Sequence, residues 1–200
     1  MPTQSSVHFY LNWAKERLDE MEATLAVVEG QMAKMQTDAR AKAQQFIGQL
    51  RAKRNEFDGV LKKQEQAGEA AWENTKARLE PEWKEFQRVL KEYTETIGKH
   101  IEQQKAVFES QVNAQLKAWR DIADQLNAAT TAFATESRRD VDAAITRMKT
   151  DAAAAEQKLA KLSQAGAESW SALSEALAET RASFDRANQA ARDAFRRAVG

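Results

Sequence analysis

Leu11, Leu18, Leu25, Met32, Ala39 and Phe46 fall seven residues apart, and Ala14, Met21, Val28 and Met35 fall between them at the same interval. Apolar residues at the a and d positions of a heptad form one seam along a helix, and a sustained seam has to be covered by other helices. The next d position is Lys42, the first polar residue of the stripe. Its methylene stem can lie along a seam while the ammonium reaches water. A turn would throw the two sides out of phase, so the spacing predicts that Gly30 and MQTDAR (residues 35–40) are helical. The first helix is then expected to run from about Ser6 to about Glu65, with Ser5 or Ser6 capping its free amides.

Composition agrees with long helices. Among 200 residues there are 2 Pro and 7 Gly, so few special-angle turns are available. Charged residues make up 30% and hydrophobic residues 42%, mostly good helix formers, which is the long-helix or coiled-coil mix. Lys plus Arg is 30 and Asp plus Glu is 30, so there is no basic excess of the kind a nucleic-acid binder uses. Cys is absent, the first residues lack a basic region followed by an apolar core, and no apolar run approaches the ~20 residues that span a bilayer. The expectation is a cytoplasmic protein.

After Phe46 the apolar phase slips through Leu50, Phe57 and Leu61. KKQEQAG (residues 62–68) is polar and ends in a glycine suited to closing a helix, which predicts a turn near 66–68. Apolar spacing then resumes at Trp72, Leu79, Trp83, Phe86, Leu90, Tyr93 and Ile97. Pro81 lies inside this run and predicts a kink, or a helix start near Glu80, rather than a loop.

QAGEAAW at 66–72 returns as QAGAESW at 164–170. With a shift of 98, Gly68, Trp72, Leu79, Phe86 and Arg88 meet Gly166, Trp170, Leu177, Phe184 and Arg186. Apolar matches alone would be cheap, but the shared QAG, the Trp and the Arg two residues after each aromatic indicate a tandem duplication. Residues 1–98 form the first unit. Residues 99–200 form a second, more divergent unit with its turn near 164–166. Each unit reads as a long arm of about 60 residues and a short arm of about 30, or ~90 Å and ~45 Å. The first short arm continues without Pro into the second long arm, which predicts a central helix of ~95 residues. Alternatively, a break in NAATTAFATES (residues 127–137) gives three helices of similar length, with Ser137 capping the third and Asp140 in its first turn. Both versions are all-α: long antiparallel helices in an elongated coiled coil or helical bundle.

Sites for chemistry are sparse. His8 and His100 are the two histidines, and neither belongs to a metal-binding or diiron spacing, so both read as surface residues and no metal or cofactor is expected. GKH at 98–100 lacks the upstream glycine of a phosphate loop. Acids alternate with bases, as in the i, i+4 pair Glu80 and Lys84, and read as a solvated helix surface. No catalytic residue is assigned. Trp72, Trp83, Trp119 and Trp170 fall on or beside the seam and need more room than two helices leave, which favours further helices around the core, as in a homodimer. Phe9 and Trp13, four residues apart, sit at f and c positions away from the seam. They are either an exposed contact surface or packing against the other end of the chain.

Residues 10–93, with their LRAKR phrase (Leu50–Arg54), Ala71–Trp72 and then Trp83, resemble a family of small bacterial coiled-coil proteins named after a cyanobacterial stress-response protein. In the second unit Arg181 stands where Trp83 is, and MKTDA replaces LRAKR. The resemblance implies a non-enzymatic helical protein linked to stress. The leading expectation is a structural or interaction protein, a rod that dimerises through its seam and engages an unidentified protein partner. The alternative is a lipid-surface binder built of amphipathic helices, which the zero net charge and narrow apolar stripe disfavour.

Overall fold

A computed structural model describes residues 9–131, 133–164 and 170–199. Six helices follow one another: α1 Asn12–Ala33, α2 Thr37–Ala67, α3 Trp72–Thr96, α4 Ile101–Ala129, α5 Thr135–Gln164 and α6 Trp170–Val199. Short 3-10 turns at Phe9–Leu11 and Glu69–Ala71 lead into α1 and α3. The described residues contain no strand.

The heptad stripe holds within α1, where Leu11, Ala14, Met21, Leu25 and Val28 are buried. It does not continue as one helix. The chain breaks at residues 34–36, where the amides of Lys34 and Met35 close back onto the carbonyls of Gln31 and Met32 and Gln36 adopts an extended conformation. Asp38 in the first turn of α2 suits the positive end of the new helix. Beyond the break the buried residues are Ala43, Ile47, Leu50, Phe57 and Leu61, one position later in the heptad than the α1 stripe predicts. The phase change read after Phe46 is thus made at this turn. Antiparallel return covers the seam of α1 with α2, which a straight helix of ~90 Å cannot do by itself. The proposed Ser5 or Ser6 cap lies outside the described residues.

Gly68 ends α2 with φ of +80°, the only positive φ among the described residues. α3 then runs through Pro81 without interruption. It ends where the amides of Ile97 and Gly98 both reach the carbonyl of Tyr93. A side chain at 98 would meet the Tyr93 ring at 3.2 Å, so glycine lets the chain turn tightly against that ring. The expected ~95-residue central helix is therefore interrupted here, and again between Ala129 and Thr135. The second break falls inside NAATTAFATES, but α5 begins at Thr135, and Ser137 lies within it rather than capping it. Of the turn expected near 164–166, Gln164 is the last residue of α5 and residues 165–166 lie outside the described ones.

Thr37 and Thr135 open α2 and α5, Trp72 and Trp170 open α3 and α6, and both pairs stand 98 positions apart. α1–α3 and α4–α6 form two antiparallel three-helix halves, joined chiefly along α1 and α4, which are also antiparallel. Helices of 22 to 31 residues, stacked side by side, make a bundle and not the extended rod that the stripe suggested. α1 occupies the middle, in contact with α2, α3, α4 and α6. Two apolar clusters fill the interior. One centres on α1–α3 and takes in Val107, Phe108, Trp170 and Leu177. The other joins Phe9 to α4, α5 and α6.

Gly68 and Gly30 make opposite predictions. Gly30 is helical, exposed and has nothing within 4 Å of an added Cβ. Gly30→Ala should raise stability by roughly 0.5–1 kcal/mol, and Gly68→Ala should lower it by about 1 kcal/mol, in urea denaturation.

Candidate functional site

On α1, Asn12, Glu16, Glu20 and Thr24 repeat every four residues and are all buried, as is Arg17. The heptad places these residues away from the seam, but α1 packs against four other helices, and its exposed residues, among them Lys15, Glu22, Ala26 and Gly30, lie on a different face. α4 contributes Gln111 and Gln115 to the same layer, and α6 contributes Thr180, Arg181 and Asn188, all buried. The layer separates Leu177 in one apolar cluster from Phe184 in the other.

Its centre is charged. Arg181 donates to both carboxylate oxygens of Glu20, from Nε at 2.9 and 3.0 Å and from its terminal nitrogen at 2.6 Å. Arg17 donates to Asp185 through two bonds of 2.8 Å and to Glu16 at 2.8 Å. The guanidinium of Arg17 lies 4.8 Å from the centre of the Trp13 ring, and that of Arg181 lies 4.9 Å from Trp83, each over an indole face. Polar side chains complete the layer: Gln111 donates to Thr24 at 3.0 Å, and Thr180 donates to Gln115 at 2.7 Å. Further along α1, Asn12 donates to Asn188, which in turn donates to the carbonyl of Phe9.

Three carboxylates face two guanidiniums here. Burial, reinforced by the neighbouring charge of Glu20 and only partly offset by Arg17, pushes the Glu16 carboxyl well above its usual value of 4.5. Glu20 is equally buried, but Arg181 and the hydrogen bond from Glu16 outweigh its desolvation and hold it below 4.5. Burial opposes the charge on Arg17, yet Glu16 and Asp185 outweigh it and keep the guanidinium protonated. A neutral Glu16 donating its proton to Glu20 leaves two cations against two anions, the arrangement a buried site tolerates best.

The six aromatic residues singled out by sequence can now be placed. Phe9 and Trp13 are not an exposed patch: they are 4% and 9% exposed. Phe9 meets Phe195 near the far end of the chain at 5.0 Å between ring centres, and Trp13 meets Phe57 and Trp72 at 6.3 and 6.2 Å. Phe9 thus packs against the chain's own other end, whereas Trp13 packs on α2 and α3. Trp72, Trp83, Trp119 and Trp170 are all buried, with Trp83 stacked on Phe86 and Trp119 edge-on to Phe184. The extra helices they require come from the same chain. His100 is exposed at the start of α4, and His8 lies outside the described residues. Glu80 pairs with Lys76, not Lys84. Among the described residues no three His, Cys, Asp or Glu are grouped to hold a metal ion, and no helix is long and apolar enough to cross a membrane.

Sequence reasoning missed the charge layer. Its signal was present: the four-residue polar spacing on α1, and Arg181 standing 98 positions after Trp83. These two residues are the pair that stack. Comparison with protein-family models, with curated proteins and with solved structures finds no match.

Linkage gives opposite signs for the two acids. Above 4.5 the unfolded chain has released the Glu16 proton that the folded chain retains, so stability falls as pH rises from 4.5 towards the folded value. The Glu20 contribution is present above 4.5 and is lost as pH falls through its lower folded value. Glu16→Gln keeps the acceptor for Arg17 and a donor for Glu20 without the acid. It should be more stable than the parent by about 1 kcal/mol near neutral pH, with the gain vanishing towards pH 4.5. Glu20→Gln should cost about 3 kcal/mol by leaving Arg181 buried without its counter-charge. Urea titrations across pH measure both.

Proposed function

We propose that the protein is a non-enzymatic helical interaction protein, a six-helix bundle that presents a charged outer surface to a protein partner. The observation that carries this reading is where its reactive groups lie. The concentrated titratable groups, Glu16, Glu20, Arg17 and Arg181, are each at most 7% exposed and engaged with one another, so they act as an internal fastening between the halves and not as groups offered to a substrate. The outer face carries the helix-to-helix pairs Arg51–Glu29, Lys53–Glu82 and Arg120–Glu156, which suit a solvated surface.

The scaffold role expected of a rod is here assigned to a bundle. We take the two halves as products of one duplicated unit, a reading supported by the shared QAG phrase and the common helix boundaries. A role in stress rests on the resemblance of residues 10–93. Lipid-surface binding is the weaker alternative. The described residues expose one large apolar side chain, Val199, so a lipid-binding face would require the bundle to open and uncover the charge layer to hydrocarbon.

Flotation with neutral and anionic vesicles discriminates the two. The protein should remain in the dense fraction with both. Co-flotation of most of it with either would overturn the interaction reading in favour of lipid binding.

A further inference from the structure

The two ends of the bundle differ. Where α4 turns into α5, Phe133 and Phe195 close the end with ring centres 5.7 Å apart, and Phe9 packs on Phe195. The corresponding end of the first half, where α1 turns into α2, has Met35 and Ile97 at the matching positions and is open. A groove of about 770 Å³ runs there between the start of α2, the end of α3 and the start of α4. Met35, Phe46 and Ile97 are half-buried along it, and each packs on the apolar core from its edge.

Its charge is distinctive. Lys42 and Lys99 line the groove, and Lys34 and Arg40 stand beside it on the same turn and first helical turns, all exposed. None of the four makes an ion pair with a described residue, in a protein where most surface bases are paired along or between helices. The one acid on the groove wall is Asp38. α2 and α4 both begin here, and neither has a side-chain cap on its first amides, so two helix ends, each partly offset by one first-turn acid (Asp38 and Glu102), add to the four cations. Gln103, on the wall, also carries a buried side-chain oxygen with no hydrogen-bond donor.

We propose that this groove is the docking site for an acidic amphipathic helix of a partner protein, an assignment that rests on the interaction reading above. The apolar stripe of such a helix would lie on Met35, Phe46 and Ile97, and its carboxylates would meet Lys42, Lys99 and the two uncapped helix ends. The concave shape favours a peptide over a lipid surface, because a bilayer does not enter a groove between helices.

The test uses the 200-residue chain and a display library of helical 16-residue peptides. Their apolar stripe is fixed, and the remaining positions are drawn from Glu, Lys and Gln. Selection should enrich Glu. The enriched peptides should lose at least about tenfold in affinity to the Lys42→Glu/Lys99→Glu variant and should weaken as salt is raised. Both substituted side chains are exposed and unpaired, so helical circular dichroism should be unchanged in the variant. Enrichment of Lys or Gln, absence of any selected binder, or equal binding to the charge-reversed variant would overturn the groove assignment. If the protein still fails to float with vesicles in that event, the interaction reading stands without this site. Flotation with anionic vesicles that is lost in the charge-reversed variant would reject both.

Discussion

The bidentate contact between Arg181 and Glu20 ties the last helix to the first and sets what the rest of the bundle can be. Both side chains are nearly sealed from water, and an ion pair so placed tolerates little change of register. A helix sliding by one residue would leave a desolvated charge without its partner. Arg17, bonded to Asp185, repeats the constraint one turn away on the same pair of helices. Apolar side chains of similar size could be re-sorted among six amphipathic helices in several ways, because hydrophobic burial is not directional. The charge layer is directional. It selects the arrangement in which α1 is central and α6 lies antiparallel to it.

That centrality explains which parts of the fold were legible. The all-helical class, the seam of α1 and the glycine at 68 follow from local rules: apolar period, helix propensity and the left-handed preference of glycine. The number of helices did not follow. A heptad that continues through residues 34–36 looks like one helix, because each side of the turn carries apolar residues at a similar spacing and the phase differs by a single position. What decides the matter is tertiary: a folded-back α2 covers the seam that a straight helix leaves bare. Similarly, Gly98 lies in a stretch where apolar spacing continues, and the turn there depends on the Tyr93 ring, which sequence does not place.

The charge layer was hidden for a related reason. Heptad reasoning divides a helix into one buried stripe and one wet face, and Glu16 and Glu20 fell on the wet side. With four neighbouring helices α1 keeps only a narrow wet side, at residues such as Lys15, Glu22, Ala26 and Gly30, and not where the heptad puts it. Polar residues repeating every four positions on such a helix form a second buried stripe, and the partners of Asn12 and Glu20 lie more than 160 residues away in sequence. Phe9 and Trp13 were ambiguous for the same reason, and the same enclosure buries them. Arg181 and Trp83, 98 positions apart in sequence, meet face to face at the contact between the halves. The ends of the halves diverge too, one closed by aromatic rings and the other left open and basic.

Amide hydrogen exchange measured residue by residue tests this architecture most directly. If α1 is the enclosed helix on which both halves are fastened, its amides from Glu16 to Leu25 should be the slowest in the protein, exchanging only through global unfolding, while the outer stretch of α5 around Lys149–Ala154 exchanges by local opening. Exchange in that segment of α1 as fast as in outer α5 would mean that the first helix is not enclosed, and the account of a bundle locked by buried charge would be wrong.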